Sequence, residues 1–192
     1  SAHGNLTTGS NNTAVGWKSQ LFNSTASNNT SLGFQALYGS SLTGSSNSAV
    51  GAYSLDANQS GGNNAAFGIN SLSSNTTASD NTAIGAGAMD GNTTGSQNTA
   101  VGRGSLDVNT TGSNNNAVGH NCLDANTTGG YNNAVGQNAL GANTEGNYNV
   151  AIGQDALANN TTNDNNVAVG RAALVSNTTG GSNVAIGALC LD

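Results

Sequence analysis

Proline is absent from the 192 residues, and only 6% of them are charged, where about a quarter is usual in a soluble domain. Disordered chains combine proline with high net charge, so these two shortages argue for folded structure. The basic residues are Lys18, Arg103 and Arg171 against nine acids, for a net charge of −6. No basic patch exists to neutralise phosphates, which excludes nucleic acid as an expected partner. No apolar run approaches the ~20 residues that cross a bilayer, so no membrane insertion by this segment is expected. The chain opens on Ser1 without a signal-peptide pattern and reads as a mature or trimmed piece. The only histidines, His3 and His120, are far apart, and the only cysteines are Cys122 and Cys190. No Cys-His or Ser-His-Asp set can be assembled from them. The expectation is therefore no catalytic residue, no bound metal, no cofactor and no enzyme.

What the chain does contain is glycine, 28 residues of it, with asparagine, threonine and serine, all laid out periodically. The segment NTAVGRGSLDVNTTGSN, residues 98–114, is followed at once by NNAVGHNCLDANTTGGY. With the glycine of the A-[VI]-G triplet as position 0, the repeats are centred on Gly16, Gly33, Gly51, Gly68, Gly85, Gly102, Gly119, Gly136, Gly153, Gly170 and Gly187. The spacing is 17 throughout, apart from one step of 18 between Gly33 and Gly51. Position −4 is always asparagine: Asn12, Asn29, Asn47, Asn64, Asn81, Asn98, Asn115, Asn132, Asn149, Asn166 and Asn183. Position −2 is alanine (Ser31 once), −1 is large and apolar, +3 is small, and +4 is leucine except at Gln20 and Met89. Position +7 is asparagine except at Ser40.

Seventeen residues are too few for the helix pairs of helical repeat proteins. A β-branched residue beside glycine and the Asn-Thr-Thr-Gly punctuation favour short strands joined by turns. The fold expected is all-β, a single domain over 1–192: a parallel β-solenoid of about eleven 17-residue turns. Its N-terminal cap is expected at about residues 1–22. Successive turns would pair at ~4.8 Å, so that like lies upon like. Asparagine columns can form amide ladders and tolerate the left-handed backbone of corners, and the glycine column suits positive φ. Two large and two small apolar side chains per turn make a thin interior. One face is expected to stay apolar on the monomer and to be covered by oligomerisation.

Several side chains invite a chemical reading. Asp56, Asp90, Asp107 and Asp124 share position +5, where a cation site competes with a solvated ladder balanced by Arg103 and His120; the ladder is the reading preferred. Cys122 and Cys190 both occupy position +3, four turns apart, too far for a disulfide between them. They read as small apolar fillers, with an interchain bridge as the alternative. Trp17 and Phe34, with Phe22, Tyr38, Tyr53 and Phe67 nearby, read first as end-capping or trimer packing. Trp17, Phe34, Tyr131 and Tyr148 form the candidate ligand surface. Sequons at Asn75, Asn92, Asn109, Asn126, Asn160 and Asn177 read as structural corners. Threonine pairs such as 110/111 and 127/128 raise ice binding, which their place in a turn and the interruption at Glu145 disfavour.

The string N-x-A-[VI]-G-x-x-[AS], clearest at NVAIGQDAL (149–157), NVAVGRAAL (166–174) and NVAIGALCL (183–191), resembles the head repeat of YadA-like trimeric autotransporter adhesins. Similar arrays look like segments of phage tail fibres. The resemblance implies a left-handed β-roll, three copies side by side, and a role at a cell or virion surface. The expected function is a non-enzymatic, extracellular adhesive rod that attaches to host cells, glycans or matrix. A self-assembling filament or fibre subunit is the alternative, and an ice-binding protein the second. The expected partner is the chain itself, with host glycans or matrix beyond it.

Overall fold

The computed structural model describes residues 8–191. Within them the chain winds as a β-solenoid with one three-residue strand per coil: β1 (Thr13–Val15), β2 (Thr30–Leu32), β3 (Ser48–Val50), β4 (Ala65–Phe67), β5 (Thr82–Ile84), β6 (Thr99–Val101), β7 (Asn116–Val118), β8 (Asn133–Val135), β9 (Val150–Ile152), β10 (Val167–Val169) and β11 (Val184–Ile186). The strands form one parallel sheet in strict chain order. Its register joins equivalent positions, as in Thr99↔Asn116, Ala100↔Ala117 and Val101↔Val118. Strand β1 falls within residues 1–22, so the stretch expected as a cap already carries a regular coil from Thr13 onward.

Ladder bonding extends well beyond the strands. In the coil centred on Gly85, the N–H groups of Gly85 and Gly87 donate backward to Phe67 and Ile69, while those of Met89, Gly91 and Thr93 donate forward to Ser105, Asp107 and Thr110. Backbone polar groups buried in so thin a body must find partners, and here the neighbouring coils supply them.

The glycine column is a steric requirement. Gly102 has φ 135°, and a Cβ built on it would lie 2.2 Å from the carbonyl oxygen of Gly119 in the next coil. Left-handed backbone also recurs at three non-glycine positions that differ from the expected one. They are −5, +2 and +4, for example Asn114 (φ 61°), Asn121 (φ 50°) and Leu123 (φ 54°). The ladder asparagines at −4 are not among them. A leucine held at positive φ costs on the order of 1–2 kcal/mol. The bend swings its side chain inward, and full burial of a leucine returns roughly 1.5–3 kcal/mol.

The core follows from that bend. Leu106, Leu123, Leu140 and Leu157 are fully buried, with Ala100, Ala117, Ala134 and Ala151 facing them from the strands and Ser105, Cys122, Ala139 and Ala156 beside them. In the first coil Gln20 replaces leucine, fully buried, and its Nε2 donates to Thr13 O and to Ser31 Oγ. Its Oε1 accepts from Asn23 Nδ2, and Ser19 and Ser31 join hydroxyls beside it. A polar plug thus fills the interior of this first described coil. The 18-residue step is absorbed by the loop around Gly39–Leu42, where buried Leu42 pairs with Asn23 across the coils and interrupts the +7 asparagine column.

Candidate interaction surfaces

Each three-residue strand sends its middle residue inward and its two outer residues to solvent. The apolar column at −1 therefore lies on the outside of the sheet. Val15 is 55% exposed, Phe67 41%, Ile84 43% and Ile186 71%, whereas Val50, Val101, Val118 and Val169 are half-buried. The column at −3 runs from Thr13, Thr30, Ser48 and Ala65 through Thr82, Thr99, Asn116 and Asn133 to Val150, Val167 and Val184. No charged side chain stands in either column. This uncharged face, apolar along −1 and mostly threonine, serine and asparagine along −3 as far as Asn133, is roughly 50 Å long by 10 Å wide, about 500 Å². An outward apolar column thus exists along −1: the strand turns its −2 residue inward, leucine at +4 fills the interior opposite it, and the −1 side chains are left outside.

Asparagine serves two internal ladders. At −4, the backbone N–H of each residue donates to Oδ1 of its counterpart one coil earlier, as Asn132 does to Asn115 at 3.0 Å. At +7, Nδ2 of Asn126 donates to Oδ1 of Asn109 at 2.8 Å and to Gly129 O at 3.0 Å. Asn75, Asn92, Asn109, Asn126 and Asn160 are fully buried, so these sequon nitrogens are internal ladder donors; Asn177, in a later coil, is half-buried. Asn166 Nδ2 alone lacks a partner among the described buried side-chain atoms.

The threonine pairs divide. Hydroxyls of Thr76, Thr93, Thr110, Thr127 and Thr144 donate to the carbonyl of the threonine in the next coil. The exposed partners at +9 include Thr111 and Thr128 and give way to Glu145.

Aromatic side chains form two separate groups. Trp17 and Phe34 stack at 4.9 Å, 52% and 42% exposed, with Tyr53 edge-on to Phe34 and Lys18 Nζ 4.3 Å from the Trp17 ring centre. They stand beside the glycine corner and widen the sheet face. Tyr131 and Tyr148 stack at 4.9 Å in the −5 column, on the other side of the strand.

The acidic column borders a shallow 460 Å³ groove, formed where Ala86, Gly87 and Gly104 lack the larger side chains of other coils and lined by Asp90, Arg103, Asp107 and Asp124. Burial raises the carboxyls of Asp107 and Asp124; neighbouring aspartates raise Asp107 further, while Arg103 lowers Asp107 and His120 lowers Asp124. Arg103 Nη1 and His120 Nε2 lie 3.3 Å apart. Asp56, partly buried and near Asp90, is pushed up to about 6. Among the described residues no three acidic, histidine or cysteine side chains converge as metal ligands. His3 lies outside the described residues.

Cys122 is fully buried, its thiol donating to Ala134 O at 3.3 Å, and burial pushes its pKa up to about 12. Cys190 is half-buried, and both thiols are free. No helix is long and apolar enough to cross a membrane among the described residues. No protein-family model, curated protein or solved structure matches the chain.

Proposed function

We infer that the protein is a non-enzymatic extracellular rod that associates side by side, as a homotrimer, through the outer face of its sheet. Its remaining polar surface serves attachment to cells, glycans or matrix. The observation that carries this reading is the outward −1 column, apolar in every coil from Val15 to Ile186, half-buried at Val50, Val101, Val118 and Val169 and exposed elsewhere, with no charge in it or in the −3 column beside it. Trp17 and Phe34 extend this face at one end, before the +1 column turns polar at Arg103 and Arg171; its roughly 500 Å² is below the ~800 Å² per partner of a standard interface, so the association needs both flanking copies. Repetition along the other faces suits many weak contacts made at once. The resemblance of N-x-A-[VI]-G-x-x-[AS] to YadA-like adhesin heads, and to fibre segments, points the same way.

Sedimentation or native mass measurement tests it. The wild-type chain runs as a trimer, and Val101→Lys with Val118→Lys, both outward-facing, yields a folded monomer. A monomeric wild type sinks the reading. Filament formation is the second reading, favoured by the near-equivalence of every coil-to-coil contact, which a coil from another copy could reproduce. Electron micrographs separate the two, as short discrete rods or long fibres.

A further inference from the structure

The −5 position sits at the left-handed bend before each strand. Most coils fill it with residues that adopt positive φ readily, such as Asn114 (φ 61°) and Asn165 (φ 63°), because their short polar side chains tolerate that backbone. Tyr131 (φ 60°) and Tyr148 (φ 58°) break this rule in consecutive coils. A bulky aromatic residue is disfavoured at such a bend, so the bend does not select the pair, although ring stacking offsets part of the cost, by about 0.5–1.5 kcal/mol. Nor does burial, since the rings are 55% and 57% exposed.

Their geometry is suggestive. The rings lie 9° from parallel with centres 4.9 Å apart, about the rise of one coil. Each ring covers one face of the other, and the column continues on either side of the pair with the shorter side chains of Asn114 and Asn165. Each outer face is an electron-rich surface open on its outer half, and such a face attracts C–H groups of partial positive charge. The third departure in this region is Glu145, exposed where the coils on either side carry Thr128 and Thr162 at +9. Glu145 precedes Tyr148 by three residues and Asn165 follows it by one coil; both are exposed and carry hydrogen-bonding groups. No lysine or arginine occupies the −6, −5 or +9 columns in any coil, so nothing there would hold an anion.

We propose that the Tyr131–Tyr148 stack is a binding platform for an uncharged pyranose residue of a glycan. The sugar's apolar face stacks on an outer tyrosine face, and its hydroxyls meet Glu145 and Asn165. This rests on the reading of the rod as an attachment surface and names its ligand class. It does not depend on how many copies associate.

Saturation-transfer NMR tests it with cellohexaose and chitohexaose as neutral probes, and a heparin hexasaccharide and choline as charged ones. A neutral oligosaccharide receives saturation and binds saturably. Tyr131→Asn with Tyr148→Asn, which restores the residue type of the neighbouring coils, weakens that binding at least tenfold while circular dichroism and native mass stay unchanged. Tyr131→Phe with Tyr148→Phe retains most of it, as stacking requires. Absence of binding by both neutral probes overturns the proposal. So does equal binding by the double asparagine variant, or preference for heparin or choline. A monomeric wild type that still binds cellohexaose through these tyrosines would sink the trimer and leave the platform standing.

Discussion

The backbone N–H of Asn115 donates to the side-chain Oδ1 of Asn98 at 2.9 Å, while Asn98 Nδ2 donates to Gly112 O at 2.9 Å. One amide thus satisfies two buried backbone groups in coils above and beside it. Asn98→Ala orphans the Asn115 N–H, while Gly112 O keeps its second donor, Asn109 Nδ2 at 2.9 Å. A buried unpaired group costs about 1–3 kcal/mol, so the variant loses on that order, read from the midpoint of denaturant unfolding. A loss below about 1 kcal/mol would show that the ladder is decorative.

Gly102→Ala tests the corner. Its Cβ would meet the Gly119 carbonyl at 2.2 Å, backbone against backbone, at a φ that side chains adopt only under strain. Neither group is the flexible end of a side chain, so the two coils must separate. The expected cost is about 3 kcal/mol or more, by strain and lost ladder bonds together. Thr111→Ala, exposed at +9, serves as the control with little change in thermal midpoint.

Stability depends on pH through the acidic column. The Asp56 carboxyl, ordinarily at 3.8, is pushed up to about 6 in the fold, first by burial. The folded state therefore holds its proton more tightly than the unfolded chain does. Between pH 4 and 6 the native protein carries more protons, so stability falls as pH rises through that window and is recovered on acidification. Asp107 and Asp124, raised in the same direction, add to the trend. The thermal midpoint is expected to be higher at pH 5 than at pH 7. Asp56→Asn flattens part of the difference; a midpoint that falls on acidification contradicts the assignment.

The two thiols differ in reach. Cys122 is sealed in the core with its pKa near 12, pushed up chiefly by burial, while Cys190 is half-buried in the last coil. A maleimide at pH 7.5 labels Cys190 in the native protein and reaches Cys122 only in denaturant. Rapid native labelling of Cys122 would mean that the coils around it open readily.

Most of the scaffold was legible because the fold repeats its own constraints. A glycine every 17 residues, a fixed asparagine and an alanine before a β-branched residue left few arrangements other than stacked coils, and the ladder at Asn98 and Asn115 follows. Orientation was less legible. Leucine at +4 and valine or isoleucine at −1 are equally apolar, and only the left-handed bend at residues such as Leu123 decides which turns inward. That bend has no residue signature, since leucine is a poor choice for positive φ. The polar plug was legible only in part. Gln20 stood out as a missing leucine, but its bonds to Thr13 and Ser31 depend on coil closure. The tyrosine stack was written plainly in the phase of Tyr131 and Tyr148, one repeat apart, and so was its exposure, at 55% and 57%; their positive φ was not.

Because every coil bonds only to the coils on either side, no contact records how many coils there are. Excising residues 99–115 would join Asn98 to Asn116, remove one repeat and return each remaining residue to an equivalent neighbour. Length in this architecture is a free parameter, adjustable in steps of about 4.8 Å. Unequal recombination between its near-identical repeats would shorten or extend the reach of the molecule without asking the chain to learn a new fold.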